Sequence, residues 1–93
     1  MGKTMIAEWL KIDGEHVVQG LQEAGDKLDN AQGEMVLDFS SVRRIYPSAL
    51  RELEELAGVA DDKAVRVGLR GVNIDVYKVL KLVKLAPRFS FLT

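Results

Sequence analysis

A hydroxyl group at the start of a helix is the strongest chemical candidate in this sequence. In "LDFSSVRRIYPSALREL", residues 37 to 53, a strand-like run passes into an amphipathic helical pattern, and Ser48 follows Pro47 at the junction. Proline fixes its own φ and disfavours the helical conformation at the residue before it, so Tyr46 and Pro47 turn a defined corner. The free N–H groups and positive dipole end of a helix start favour an oxygen acceptor, and they favour a phosphate for the same reason. Two readings of Ser48 follow. It caps the helix, worth about 0.5–2 kcal/mol, or it is a group that another protein reads or modifies. Phosphorylation there adds roughly −1.5 to −2 charges, enough to abolish docking of a partner that covers the surface. Arg51, not Glu or Gln, stands three residues after Ser48, so no capping box supports the first reading.

Other chemistry is sparse. His16 is the single histidine, which excludes a paired-imidazole metal site, and it reads as an exposed or capping residue at a helix start. The absence of cysteine removes disulfides, thiolate metal sites and a cysteine nucleophile. Asp61-Asp62 reads as a helix exit loop, because a hard-cation site needs several converging oxygens. "GLRG" (Gly68 to Gly71) leaves a predicted strand and reads as a turn; a nucleic-acid GxxG loop joins two helices instead. Lys78, Lys81 and Lys84 share one side of a predicted helix that Arg88 follows. They form either a solvated face that complements the negative helix end or a docking patch for an acidic partner. Trp9 and Tyr77 read as core or core-edge aromatics. No cofactor and no metal is implied.

The elements that must position Ser48 follow from periodicity. "MIAEWLKI", Met5 to Ile12, reads as a strand, and Asp13-Gly14 supplies a turn. Val17, Val18, Leu21, Ala24, Gly25 and Leu28 fall at helical spacing within Glu15 to Leu28. "MVLDF", Met35 to Phe39, is a short apolar run of the kind found in strands covered on both faces. Leu50, Leu53, Leu56, Ala57 and Ala60 then form a helical stripe, with Arg51, Glu52, Glu54 and Glu55 on its wet side. "AVRVGL", Ala64 to Leu69, is a third strand. Asn73 is a plausible N-cap for a helix from Ile74 to Leu85 that Pro87 ends, and Phe89 to Leu92 is a last short strand. This βαβαβαβ alternation predicts a small α/β fold. It has about four strands in a mainly parallel or mixed sheet, with right-handed crossovers and three or more helices packed on its faces.

Composition bounds the remaining possibilities. Ninety-three residues suffice for one small domain, and 47% apolar with 29% charged residues is a globular balance. Thirteen basic residues against fourteen acidic ones give a net charge of −1, so no global field favours nucleic acid or an anionic membrane. No apolar run is long enough to span a bilayer, and "MGKTMIAEWLKI" is a poor signal peptide, so the expected location is the cytoplasm.

"VLDFSSVRRIYPSALREL" resembles the signature of STAS domains, the family of bacterial anti-sigma factor antagonists and of the cytoplasmic domains of sulfate transporters. Asp38, Ser40, Val42, Ile45, Ser48 and Leu50 fall on that signature without a gap. "VRVGLRGVNIDVYKVLKLVKLAPRFSFL" resembles the family's closing strand, turn, helix and last strand, with Val72, Leu80, Leu85 and Phe89 as its apolar anchors. Tyr46, Pro47, Ala49 and Arg51 replace the family's acidic residue, first serine, glycine and small residue, and one strand precedes the first helix where the family usually has a hairpin. The resemblance implies a STAS-like fold with a shortened N-terminal region, and an interaction module, not an enzyme. Its partner would be an anti-sigma factor or related kinase-like ATP-binding protein in a partner-switching pathway. Ser48 matches the serine that partner kinases phosphorylate. Asp38 and Ser40 would shape the neighbouring loop, Arg43 and Arg44 would offer rim charges, and Tyr46, Pro47, Ala49 and Arg51 would complete the contact surface. An alternative within the family is a non-phosphorylated subunit of a membrane machine, such as a phospholipid-import ABC transporter, pressed against its ATPase. A third reading, of another class, is a nucleotide or small-ligand module using the open end of the sheet.

Overall fold

The computed structural model describes residues 8–31 and 33–92. Strands and helices alternate throughout: β1 (Glu8–Lys11), α1 (Val17–Lys27), β2 (Glu34–Asp38), α2 (Pro47–Lys63), β3 (Arg66–Arg70), α3 (Ile74–Leu82) and β4 (Ser90–Leu92). Short 3-10 turns, Leu28–Asn30 and Ala86–Arg88, follow α1 and precede β4. The four strands form one sheet in the order β1-β2-β3-β4, and every pairing is parallel. Of the segment predicted as the first strand, residues 5–7 lie outside the described residues.

A strand order that never reverses has a consequence for the layers. Successive right-handed crossovers then deliver every helix to the same side of the sheet. The core shows this arrangement. Leu10, Met35, Leu37, Val67, Leu69 and Phe91 alternate onto one face and pack with Leu21 and Ala24 of α1, Leu53, Leu56, Ala57 and Ala60 of α2, and Val76 and Leu80 of α3. The intervening positions form the other face. Trp9, Val36, Gly68 and Ser90 lie in one row across the strands, and Lys11, Asp38, Arg70 and Leu92 in the next.

This arrangement corrects two expectations. The apolar run of β2 reflects a central strand, not helices on both faces: Val36 is buried, but outside the helix-covered core. Trp9 is not a core residue. It is 52% exposed on the second face, with the Arg70 guanidinium 5.4 Å from its ring centre. Tyr77 behaves as a core-edge aromatic, its ring edge-on to Phe91 at 5.1 Å.

The helix ends are set by backbone geometry more than by the punctuation residues. α2 runs through Asp61 and Asp62 to Lys63, so these two aspartates belong to its last turn rather than to an exit loop. Ala64 stops it in the left-handed conformation (φ 57°), and the Val65 N–H turns back to the Ala60 carbonyl at 2.9 Å. The third strand therefore begins at Arg66, not at Ala64. α3 ends at Leu82, before Pro87 can act. Lys84 takes a left-handed conformation (φ 66°), and the Leu85 N–H closes on the Leu80 carbonyl at 2.8 Å. Asp61 pairs with Arg88 at 2.9 Å, joining the end of α2 to the turn before β4.

Candidate functional site

Because all strands run the same way, the carboxyl ends of β1, β2 and β3 meet at one rim. Three connections emerge there: Ile12–His16, Phe39–Tyr46 and Gly71–Asn73. The middle one carries the predicted site, and it is clasped between the other two. Gly14 lies so close to the Ser41 carbonyl that a Cβ there would overlap it, so the first turn accepts no side chain at this point. Ser41 Oγ donates to the Ile12 carbonyl at 3.0 Å, and the Ile12 N–H donates to the Asp38 carbonyl at 2.9 Å. On the other flank Gly71 has φ +73°, a conformation that favours glycine. A Cβ at Gly71 would lie 3.0 Å from that of Ser40. Beneath the loop, the Phe39 N–H donates to the Arg70 carbonyl at 2.7 Å, and the Val42 N–H donates to the Phe39 carbonyl at 2.9 Å. The side chains of both Phe39 and Val42 are buried.

Two carboxylates brace the turns. Asp38 accepts from the Ser40 N–H at 2.9 Å. That bond first, and the Ser40 hydroxyl second, hold its carboxyl below the usual carboxylate range. Asp13 accepts from the Glu15 N–H at 2.9 Å and meets the His16 ring at 3.2 Å. The first of these bonds is the larger cause of a lowered pKa there. His16 is the N-cap residue of α1, exposed as expected, with no capping bond from its side chain.

The corner itself is formed by Tyr46, Pro47 and Ser48. Tyr46, in extended conformation (φ −108°, ψ 164°), is the N-cap residue of α2, Pro47 opens the helix, and Ser48 follows within the first turn. Ser48 is therefore not the cap. No side chain caps α2 and no acidic residue occupies its first turn, which leaves the helix start electrostatically open to an anion. Arg43, Arg44, Tyr46, Pro47, Ser48 and Arg51 are all exposed, Ile45 is half-buried against the core, and Ala49 is buried.

The predicted residues divide among four surface hollows. Arg44, Tyr46, Ser48 and the edge of Ala49 border a cleft of about 290 Å³, whose opposite wall is Gly14 to Gln19 at the start of α1. Pro47 and Arg51 face the other way, onto a groove shared with Leu50, Glu54, Val83 and Leu85. Asp38 lies apart from the corner and borders a third hollow with Arg70, Tyr77 and Phe91; Ser40 touches that hollow and also a fourth, where Arg43, Arg44 and Tyr46 face Asp13 to Glu15. Sequence reasoning missed the α1 side of the cleft, His16 and Val17 included. The available signal was Gly14 itself, whose position in an Asp-Gly turn read as punctuation and proves to be a close backbone contact.

No protein-family model matches the sequence, and no curated protein matches it. Solved structures do. The crystal structure of TM1081, a candidate anti-sigma factor antagonist of Thermotoga maritima, superimposes with a TM-score of 0.72. The match covers 95% of this chain and 81% of that one at 17% identity. The solution structure of TM1081 gives a TM-score of 0.73 over 99% of this chain and 90% of that one, at 16% identity. The chain has the STAS-like fold of these structures. At this identity the likeness concerns the backbone alone, and the residues at the corner stand on their own geometry. Among the described residues, no helix is long and apolar enough to cross a membrane.

Proposed function

We propose that this STAS-like domain is a cytoplasmic protein–protein interaction module of the anti-sigma factor antagonist kind, which docks a kinase-like ATP-binding partner through its Tyr46–Arg51 corner. The observation that carries the reading is the exposure of Tyr46, Pro47 and Ser48 at an uncapped, acid-free helix start. Asp38 and Ser40 set the loop behind the corner, and Arg43, Arg44 and Arg51 give its edge positive charge. Ser48 is the modifiable residue. Its Oγ bonds to the γ-phosphorus of the partner's ATP as the bond to the β,γ-bridging oxygen breaks and ADP leaves, the hydroxyl proton passes to a base on the partner, and the domain contributes no other catalytic group. A phosphate here meets the free N–H groups of the first turn, with Arg44 on the same cleft, so the fold tolerates it while the docking surface changes sign.

The test is incubation with ATP and any kinase-like ATP-binding protein whose gene neighbours this one, followed by mass spectrometry. One phosphate at Ser48 and weakened partner binding by Ser48→Asp are expected. No modification at Ser48, together with unchanged binding by Ser48→Asp, sinks the switch.

A second reading draws on Tyr46, which is 61% exposed beside the exposed ring of Pro47. A large stiff apolar surface suits permanent contact, as in a STAS subunit held against a transporter ATPase. Co-purification with an ATPase subunit, indifferent to Ser48→Asp, favours that reading over the first.

A further inference from the structure

We infer that Asn73 is the positioning residue of the docking corner, clamping the loop that carries it to the start of α3. This rests on the corner being the functional surface, and it adds the element that holds the corner in place. Asn73 lies on a different connection, thirty residues or more along the chain from the atoms it grips. Its Nδ2 donates to the Val42 carbonyl at 3.3 Å and to the Arg43 carbonyl at 3.1 Å. Its Oδ1 accepts from the Val76 N–H at 2.7 Å, capping α3. The three contacts fix the orientation of the amide. Turned over, it would set its NH2 against an N–H and its oxygen against two carbonyls.

The neighbouring backbone shows why this grip matters. Phe39 and Val42 are tied into the rim by main-chain bonds, and the backbone is bonded again only where the Leu50 N–H meets the Tyr46 carbonyl at 3.0 Å. Between these points, among the described residues, the Asn73 amide is the hydrogen-bond partner of the backbone of Arg43 to Ile45. Ile45 adds partial packing against the core. One side chain thus performs two separable tasks. Its oxygen starts α3, and its nitrogen sets where Arg43, Arg44 and Tyr46 stand.

Substitution can divide these tasks. Asp and Ser are as good at a helix start as Asn, but a carboxylate cannot donate to the two carbonyls and a serine is too short to reach them. Asn73→Asp and Asn73→Ser should keep α3 and release the loop, whereas Asn73→Ala should weaken both. The measurement is 15N relaxation on the isolated, full-length protein. In Asn73→Asp and Asn73→Ser, order parameters for Arg43 to Tyr46 should fall from about 0.85 toward 0.6, with Val76 to Lys81 staying near the rigid value. Should the added carboxylate of Asn73→Asp prevent folding, Asn73→Ser makes the same comparison without a charge. Arg43 to Tyr46 as rigid in the capping-competent variants as in the parent protein overturns the proposal. The experiment needs no partner, so a failure of the docking hypothesis leaves its outcome intact, and the reverse also holds.

Discussion

The loop between β2 and α2 has two halves built in opposite ways. From Phe39 to Val42 it is wedged into the rim by main-chain bonds and by the close approach of Gly14 and Gly71 to Ser41 and Ser40. From Arg43 to Ser48 it is exposed except for Ile45. The difference separates geometry from recognition. The wedged half and the Asn73 amide that bonds to the Val42 and Arg43 carbonyls determine where the corner stands, so the side chains of the exposed half are released from packing and can change without endangering the fold. A Tyr-Pro pair where related signatures carry an acid and a serine is the kind of change such an arrangement tolerates.

Stability measurements can break this contrast. Leu53 lies fully buried on the inner side of α2, one turn beyond the corner. Leu53→Ala should lower the unfolding free energy by about 2–5 kcal/mol, which sets the scale of a core loss. Gly14→Ala probes the wedged half. The new methyl group would collide with the Ser41 carbonyl, a backbone atom that yields only by moving the loop. Overpacking of this kind costs about 1–3 kcal/mol. Urea unfolding of both variants checks the order. If Gly14→Ala matched the parent protein, the base of the loop would not be wedged at all.

Ser48→Ala probes the exposed half, and its expected effect on stability is within about 0.5 kcal/mol. A serine that capped α2 would instead lose about 0.5–2 kcal/mol on truncation. The same urea titration therefore distinguishes a surface hydroxyl from a structural one, independently of any partner.

The same contrast marks what could be read in the sequence. Element order and the helical stripe of α2 follow from periodicity, because burial of one face is what periodicity records. Of the anchors that the STAS resemblance implied, Leu80, Leu85 and Phe89 are buried and Val72 is half-buried. The corner was legible too, since proline restricts both itself and Tyr46. Contacts across the rim were not. Nothing local in Asp13-Gly14 or in Asn73 states that the one rests on Ser41 and the other bonds to Arg43, because those partners arrive through parallel register between strands far apart in sequence. Helix ends were misplaced for a related reason. Ala64 and Lys84 adopt left-handed conformations that their side chains do not favour, and tertiary packing imposes what no glycine announces.

The smallest expected effect concerns the carboxylates that brace the wedged half. Asp13 and Asp38 both have lowered pKa values, owing chiefly to backbone N–H donors at Glu15 and Ser40 respectively. A carboxyl whose folded pKa lies below its unfolded value contributes stability that is present above the unfolded value. That contribution is lost as the pH falls through the folded one. Both contributions are therefore intact at neutral pH and vanish below the ordinary value of 3.8. Asp13 is exposed and Asp38 is half-buried at the rim, so solvent screening keeps the effect well below that of Gly14→Ala. Asp38→Asn preserves an acceptor for the Ser40 N–H but removes the charge that strengthens the bond. The variant should be slightly less stable than the parent protein near neutral pH. The gap should close as the pH falls below 3.8, where the parent protein loses the same charge. Parallel urea titrations across that range read the closure directly. A gap that stays constant would show that the Asp38 bond does not depend on charge, leaving the brace to its geometry alone.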